Sequence, residues 1–420
     1  MSNITWAPNN KRRIKAILVV IFVWSAVSLM HLIPVTQWII IGLTIILTWQ
    51  TVRMLVAKPK TLAPSQVLPT VSILVPAKNE SAVLPNIVTS LFNLDYPASH
   101  LDIWVIDDGS TDDTRECLNK LQSQFPKLQI HHRQFSSGGK SGALNAVFPR
   151  STGEIILVCD ADAQLPINFL RQIVFLFENE TVGAVQVRKT IANRNVNFLT
   201  RCQQMEMSCD AWLQTHRIAV FGMTELRGSG MFVRRHLLEK CNGWNENTVT
   251  DDLDLTFRLY IAGSEIEFLT APTIEEQGVI TLEQLWHQRY RWSLGGYQRY
   301  LDYFPQILTL GWNKEIDLLL FLLLQFILPI GLIPDLLWTI FYSHHPVLFP
   351  LQTLLGIILT IGFVTSLYQF QNLRGWSLLS ATLQGSVYML HWIPVMILTT
   401  LSLCIKPSQL NWVKTEHYGN

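Results

Sequence analysis

Apolar residues crowd the two ends of this chain, while the stretch between them mixes polar and apolar positions as a globular domain does. Two runs open it, Ile14 to Ile33 and Trp38 to Val56. Each is long enough, at 1.5 Å per residue, to cross a hydrocarbon core of roughly 30 Å. They predict a transmembrane hairpin. Three more apolar runs close the chain, from Ile316 to Tyr342, Val347 to Phe370 and Leu378 to Ile405, interrupted by Asp335, His391 and the prolines at 329, 334 and 394. Asp335 follows Pro334 near the end of its run and is expected at the membrane interface. From about Ser65 to Phe304 no run is long enough to span, which leaves a block that can bury a full core.

Inside that block, short β-branched runs alternate with longer helical stretches, the pattern of a mostly parallel sheet covered by helices. Val71-Ser-Ile-Leu-Val75, Leu101-Asp-Ile-Trp-Val-Ile106 and Glu154-Ile-Ile-Leu-Val-Cys159 read as three of its strands. The predicted fold is α/β and Rossmann-like, set between transmembrane helices. Its parts are an N-terminal hairpin (1–64), the α/β domain (65–280), an interfacial amphipathic region (281–313) and C-terminal apolar helices with a short tail (314–420).

Charge adds a topology. Lys11, Arg12, Arg13 and Lys15 precede the first run, and Arg53, Lys58 and Lys60 follow the second, so both ends of the hairpin are expected to be cytoplasmic. The second run close behind the first, with no small-residue cleavage site between them, argues against a cleaved signal peptide. Arg374, Lys406 and Lys414 are too few to fix the side of the tail segment Trp412 to His417. The composition agrees with a membrane protein, with 49% of the 420 residues hydrophobic and 15% charged. With a net charge of +1 and no basic, aromatic-interleaved sheet pattern, a nucleic-acid partner is set aside. Five of the six cysteines fall in the polar block without a Cys-x-x-Cys pair, as expected of reduced structural thiols.

The candidate chemistry lies where strands end. In open α/β sheets ligands bind beyond the carboxyl ends of the strands, so Pro76-Ala-Lys-Asn-Glu80, Asp107-Asp108 and Asp160-Ala-Asp162 should converge on one crevice. On an extended segment Asp160 and Asp162 would face the same way, which suits a hard divalent cation, Mg²⁺ or Mn²⁺, that also keeps phosphate oxygens as ligands. Gly138-Gly-Lys-Ser-Gly-Ala-Leu-Asn145 lacks P-loop spacing, yet its glycines precede a helix and offer N–H groups to a diphosphate, with Lys140 as a point charge.

Thr250-Asp-Asp252 precedes a helically spaced stretch, which puts both acids at a helix N-terminus. An inverting displacement needs a base opposite the leaving group, and Asp252 is the candidate, with Asp251 supporting it. Gln288-Arg-Tyr-Arg-Trp292 lies in an aromatic-rich segment, Leu282 to Tyr303, expected to lie in the membrane interface. Arg291 is a candidate diphosphate contact and Trp292 an acceptor platform.

These residues resemble family 2 of the inverting glycosyltransferases, which includes cellulose, hyaluronan and poly-N-acetylglucosamine synthases. The resemblance covers roughly Val71 to Tyr303. It implies a GT-A fold and a nucleotide-sugar donor. Pro76, Asn79, Glu80, Asp107 and Asp108 would then lie near the nucleoside, Asp160 and Asp162 at the metal, Asp252 as base, and Gln288, Arg291 and Trp292 closing the site. Thr250-Asp-Asp252 departs from the more usual Thr-Glu-Asp by a shorter middle acid.

Val182 to Lys189, Glu225 to Arg235, Thr250 to Thr256, Leu285 to Trp292 and Gly295 to Tyr303 are more closely similar to the cyanobacterial-type monoglucosyldiacylglycerol synthases. That likeness implies Mg²⁺-dependent transfer of glucose from UDP-glucose to diacylglycerol, at a plasma or thylakoid membrane. The alternative is a processive polysaccharide synthase. It would use the same motifs, but its spans should be lined with more polar groups than the C-terminal runs carry. A non-catalytic nucleotide sensor would not need Asp252 beside the acidic pair.

Overall fold

The computed structural model describes residues 9–58 and 68–405. Lys60, the boundary expected near residues 64 and 65, and the tail from Lys406 through Trp412 to His417 with Lys414 lie outside the described residues.

In chain order, the helices α1 (Asn9–Leu32) and α2 (Trp38–Val56) come first. There follow β1 (Val71–Ala77), α3 (Leu84–Phe92), β2 (Leu101–Asp108), α4 (Thr114–Gln124), β3 (Gln129–Arg133), α5 (Gly139–Val147), β4 (Ile155–Val158) and β5 (Val182–Ile191). Next are α6 (Phe198–Ala219), β6 (Met231–Arg234), α7 (Arg235–Lys240), α8 (Asp251–Ile261) and β7 (Glu265–Glu276). The chain goes on through α9 (Leu282–Ile307), α10 (Trp312–Leu322), α11 (Leu328–Tyr342), α12 (Phe349–Gln371), α13 (Gly375–Met389) and α14 (Trp392–Ile405).

Two compact units result, one of residues 9–58, 208–223 and 285–405, the other of 68–207 and 224–284. In the second, the seven strands form one sheet in the order β3-β2-β1-β4-β6-β5-β7. All neighbouring pairs are parallel except those of β6, which runs antiparallel to both β4 and β5. The three strands read from sequence are β1, β2 and β4. Their alternate residues Ile73, Val75, Ile103, Val105, Ile155 and Leu157 are almost wholly buried and pack with α3 and α4 through Leu84, Ile87, Leu91, Leu118 and Leu121.

In the first unit, five helical stretches are long and apolar enough to cross a membrane: Lys11–Leu32, Pro34–Val56, Trp312–Tyr342, Phe349–Gln371 and Gly375–Ile405. One apolar cluster joins α1, α2, α10, α11 and α12 through Val23, Val27, Ile40, Leu47, Leu320, Ile330 and Leu351. A Cβ added at Gly331 would lie 3.1 Å from Leu348 and 3.4 Å from Val27, so the small residue permits the close approach of α11 to α1. A π-helical turn at Leu323–Ile327 precedes Pro329, which cannot donate a backbone hydrogen bond. The last run is two helical segments meeting at Leu390 and His391.

Burial and pairing add to three of the sequence readings. Asp335, expected at the membrane interface, is enclosed by protein. It is 1% exposed, accepts the backbone N–H groups of Val347 (2.9 Å) and Leu348 (3.3 Å), and lies 2.9 Å from His31 Nε2. Backbone donors left unpaired ahead of α12 account for an acid in so apolar a place.

Arg12, read as a topology marker, is also buried, and its guanidinium pairs with Asp302 of α9. The segment 208–223, inside the block read as one domain, groups with the apolar helices. Arg217 there forms a buried pair with Asp317 at 2.8 Å, and Val220 O accepts from Arg53.

Candidate functional site

Strand polarity gathers the acids. β1, β2, β4, β5 and β7 run the same way, so their C-terminal ends share one edge of the sheet, and antiparallel β6 starts at that edge. The loop before β6 is therefore delivered to the same place: Gly230 N–H donates to Val158 O at 2.9 Å, where β4 ends. The strand order reverses between β1 and β4, which is where an open α/β sheet leaves a crevice.

On the β1–β2 side, the loops after the two strands are stitched together. Asn79, in the left-handed region at φ 55°, donates its N–H to Ser110 Oγ (2.9 Å) and accepts the Thr111 N–H (2.7 Å), and Glu80 N–H donates to Thr114 Oγ1. Pro76 is the penultimate residue of β1, paired in register with Ile106. Asp107 and Asp108 are consecutive and so face opposite ways.

Asp107 accepts the Ser110 N–H at 3.0 Å and lies 2.8 Å from His132 Nδ1. Burial acts to raise its carboxyl, but these bonds outweigh it and hold Asp107 below the usual carboxylate range. Asp108 is bound by Arg133 and by Ser136 Oγ (2.6 Å).

Asp160 and Asp162 lie on a turn and not on an extended segment, because β4 ends at Val158 and the Ala163 N–H closes on Asp160 O at 3.1 Å. The turn is pinned from both sides, by Asp160 N–H to Ser229 Oγ (3.0 Å) and by Gln277 N–H to Asp162 Oδ2 (2.7 Å). Asp162 is thereby buried, whereas Asp160 keeps 35% of its side chain accessible. Lys140 Nζ donates to Asp160 Oδ1 at 2.6 Å. Burial opposes the charge on Lys140, yet Asp160, Asp251 and Asp252 together hold it above the usual lysine range. Gly138, at φ 69°, caps α5 ahead of it, so the glycine loop does open a helix.

Asp251 and Asp252 begin α8 after the cap residue Thr250, as expected. Their position is fixed from below. Asp254 and Arg258 form an almost fully buried pair at 2.6 Å, with Asn245 on the other Asp254 oxygen and the Cys241 and Gly243 carbonyls on Arg258. Asn145 of α5 bonds both backbone groups of Trp244, so the glycine-loop helix and the α8 start share one frame. Desolvation, and then the charge of Asp251, pushes the Asp252 carboxyl up to about 6 against the pull of Lys140 and Lys189. Asp251 Oδ2 is buried without a hydrogen-bond partner.

A pattern describing a glycosyltransferase-like family 2 domain matches residues 69–295. The chain belongs to glycosyltransferase family 2. It is 46% identical to the beta-monoglucosyldiacylglycerol synthase of Trichormus variabilis, over 97% of this chain and 90% of that one. To the protein of the same name from Synechocystis it is 43% identical, over 97% and 88%.

Among solved structures, the mannosyltransferase PcManGT from Pyrobaculum calidifontis in complex with GDP-Man and Mn²⁺ superposes with a TM-score of 0.58. That match has 18% identity and covers 92% of this chain and 98% of the other, so it speaks for the fold alone. The fold is GT-A, and the protein is a glycosyltransferase.

This family 2 enzyme carries site residues that motif reading had left unassigned. Lys189, at the end of β5, pairs with Glu276 of β7 at 2.5 Å. Burial opposes its charge, but Glu276, Asp160 and Asp252 raise it, which places Lys189 in the same acidic cluster. Gly228 has φ +80°, a backbone conformation that favours glycine, and the loop runs close to the acids: a Cβ there would come into contact with Asp252 Oδ2 (3.4 Å) and Lys140 Nζ (3.5 Å). Gln186 fixes the loop by accepting the Arg227 N–H and donating to Ser229 O. The Glu225-Leu-Arg-Gly-Ser-Gly run had signalled this loop without revealing its roles.

The donor set fits a hard divalent cation. Among the described residues no group of three or more His, Cys, Asp or Glu is placed to hold a metal, so no protein cage of the zinc kind is present. One accessible carboxylate and one buried one on a turn suit an ion of the Mg²⁺ type, which takes one or two carboxylates and draws its other ligands from phosphate and water.

Gln288, Arg291 and Trp292 belong to α9 in the other unit. Leu285 and Arg289 are buried in its first half, and from Ser293 to Leu301 every residue of that helix is buried. Tyr297 stacks on Phe326 at 5.1 Å and Ser293 contacts Met396, so α9 is packed among the apolar helices over its second half.

Proposed function

We propose that this enzyme transfers glucose from UDP-glucose to the hydroxyl of diacylglycerol with inversion, giving β-monoglucosyldiacylglycerol. Identity of 43–46% over 97% of the chain with proteins named for that synthesis supports the substrates. The observation that carries the mechanism is Asp252 at the start of α8, its carboxyl pushed up to about 6 and facing the Lys140 cluster across Gly228.

Asp252 takes the proton of the acceptor hydroxyl as that oxygen attacks the anomeric carbon. A base with a value near 6 is ionised at neutral pH and still basic enough to accept the proton. Lys140 exchanges Asp160 for the diphosphate oxygens. The loops at Asn79–Glu80 and Asp107–Asp108 hold the nucleoside. Asp160 and Asp162 would hold Mg²⁺ or Mn²⁺, which supplies charge neutralisation for the departing diphosphate. Asp251 supports the base, and Gln288, Arg291 and Trp292 act on the diphosphate and acceptor. The five apolar stretches fit a multi-pass protein of the plasma or thylakoid membrane with its sheet domain in the cytoplasm.

Membranes containing the enzyme, incubated with labelled UDP-glucose and diacylglycerol, should yield a chloroform-soluble product with one sugar per lipid. Label in a long water-soluble or insoluble chain would point to polymer synthesis instead.

A further inference from the structure

Arg289 lies inside Gln288-Arg-Tyr-Arg-Trp292, but the motif assigns it nothing. It is 0% exposed, among the largest fully buried side chains of the molecule. Its guanidinium carbon sits 4.1 Å from the ring centroid of Trp292, one helical turn along α9, and 5.5 Å from that of Trp392 at the start of α14. Nη2 donates to the Tyr388 hydroxyl at 3.3 Å. The Tyr388 ring in turn packs at a tilt against His391, centroids 4.5 Å apart, and His391 likewise against Trp392 at 5.4 Å. The cation therefore touches two indoles, one on the motif helix and one on the C-terminal apolar segment.

We propose that Arg289 is a positioning residue that fixes the Trp292 indole and ties it to the last apolar helix. A desolvated guanidinium against an indole face is worth more than the same contact in water. Trp292 is part of a helix whose register alone leaves its ring free to rotate about χ1 and χ2. With Arg289 as a fixed wedge, the ring has one orientation. The packing of α14 becomes a condition for presenting the acceptor platform. This rests on the reading of Trp292 as an acceptor-side residue.

The test uses the full-length enzyme in nanodiscs, with UDP-glucose and diacylglycerol varied separately. Arg289→Met, close in length but uncharged, should raise the KM for the acceptor roughly tenfold and leave the KM for UDP-glucose unchanged. Arg289→Lys should recover most of the loss. Trp392→Leu, which removes one of the two indoles against Arg289, should give a smaller shift of the same kind. In a Trp292→Leu background, Arg289→Met should add nothing further to the acceptor KM.

An Arg289→Met enzyme with unchanged acceptor KM would overturn the proposal. So would a shift shared equally by donor and acceptor, or an effect that persists undiminished without Trp292. If Arg289→Met does not fold, Trp392→Leu measured with and without Trp292→Leu decides the matter in the same way. Failure of the substrate reading is separately visible, because the unaltered enzyme would then make no glucolipid. The kinetic split is in that case read on the acceptor it does use.

Discussion

Lys140 and Asp160, twenty residues apart in sequence, meet at 2.6 Å across the mouth of the sheet. The cation of the glycine loop is thus held by an acid of the strand-end turn, with Asp251 and Asp252 also drawing on it. On the proposed reading, a diphosphate entering the site would compete for a charge already in place. Lys140→Met should weaken UDP binding roughly 10- to 100-fold, the range of a charge-assisted hydrogen bond, as read by calorimetry. It should also push the Asp252 carboxyl higher still, so that this acid ionises only at higher pH, because Lys140 opposes that shift.

Asp162 shares the turn but is anchored by the Gln277 N–H. Asp162→Ala should abolish turnover and remove the dependence of UDP affinity on divalent cation. UDP titrations with and without Mg²⁺ check this. Unchanged affinities under both conditions would take Asp160 and Asp162 out of the metal role.

Asp252→Asn keeps the shape and removes the proton acceptor, so transfer should fall by about 10²- to 10⁴-fold while UDP-glucose still binds. Asp251→Asn should cost less and leave a mark of its own in pH. The base must be ionised, so kcat/KM should decline as pH falls through about 6. Asp251 raises that value by like charge, so its neutralisation should move the acid limb to lower pH. Near-normal transfer by Asp252→Asn, with loss in Asp251→Asn, would reverse the two assignments.

Arg258 supports α8 from beneath, paired with Asp254 and donating to two loop carbonyls. Arg258→Met leaves Asp254 buried without its cation, a loss of about 3–5 kcal/mol in comparable pairs. A lowered melting temperature, with the loop 241–245 opened to protease, is the expected result.

Much of the site was legible because it is written locally. A β-branched run that stops at an acid marks both a strand and its chemically useful end, which is why Asp107, Asp108 and Asp160 were found where they stand. Thr250 to Asp252 opened a helix as its spacing required. Lys189 and Gly228 were not assigned, since a lysine in a strand and a glycine in a loop carry no local mark of the acids they approach. The partners of Asp335 were hidden for a related reason: an acid after proline near a span end shows nothing locally of the backbone donors ahead of α12 or of His31.

The apolar runs, the alternation of strands and helices, and the residues at the strand ends can all be read along the chain. These depend on composition and periodicity within a few turns of chain. Tertiary structure alone decided the antiparallel entry of β6, which brings residues 224–230 to the acids, the turn that separates Asp160 from Asp162 in burial, and the allegiance of 208–223 to the apolar helices. Each depends on hydrogen bonds or ion pairs between segments far apart in the chain. Their partners are chosen by register and packing, which composition does not encode.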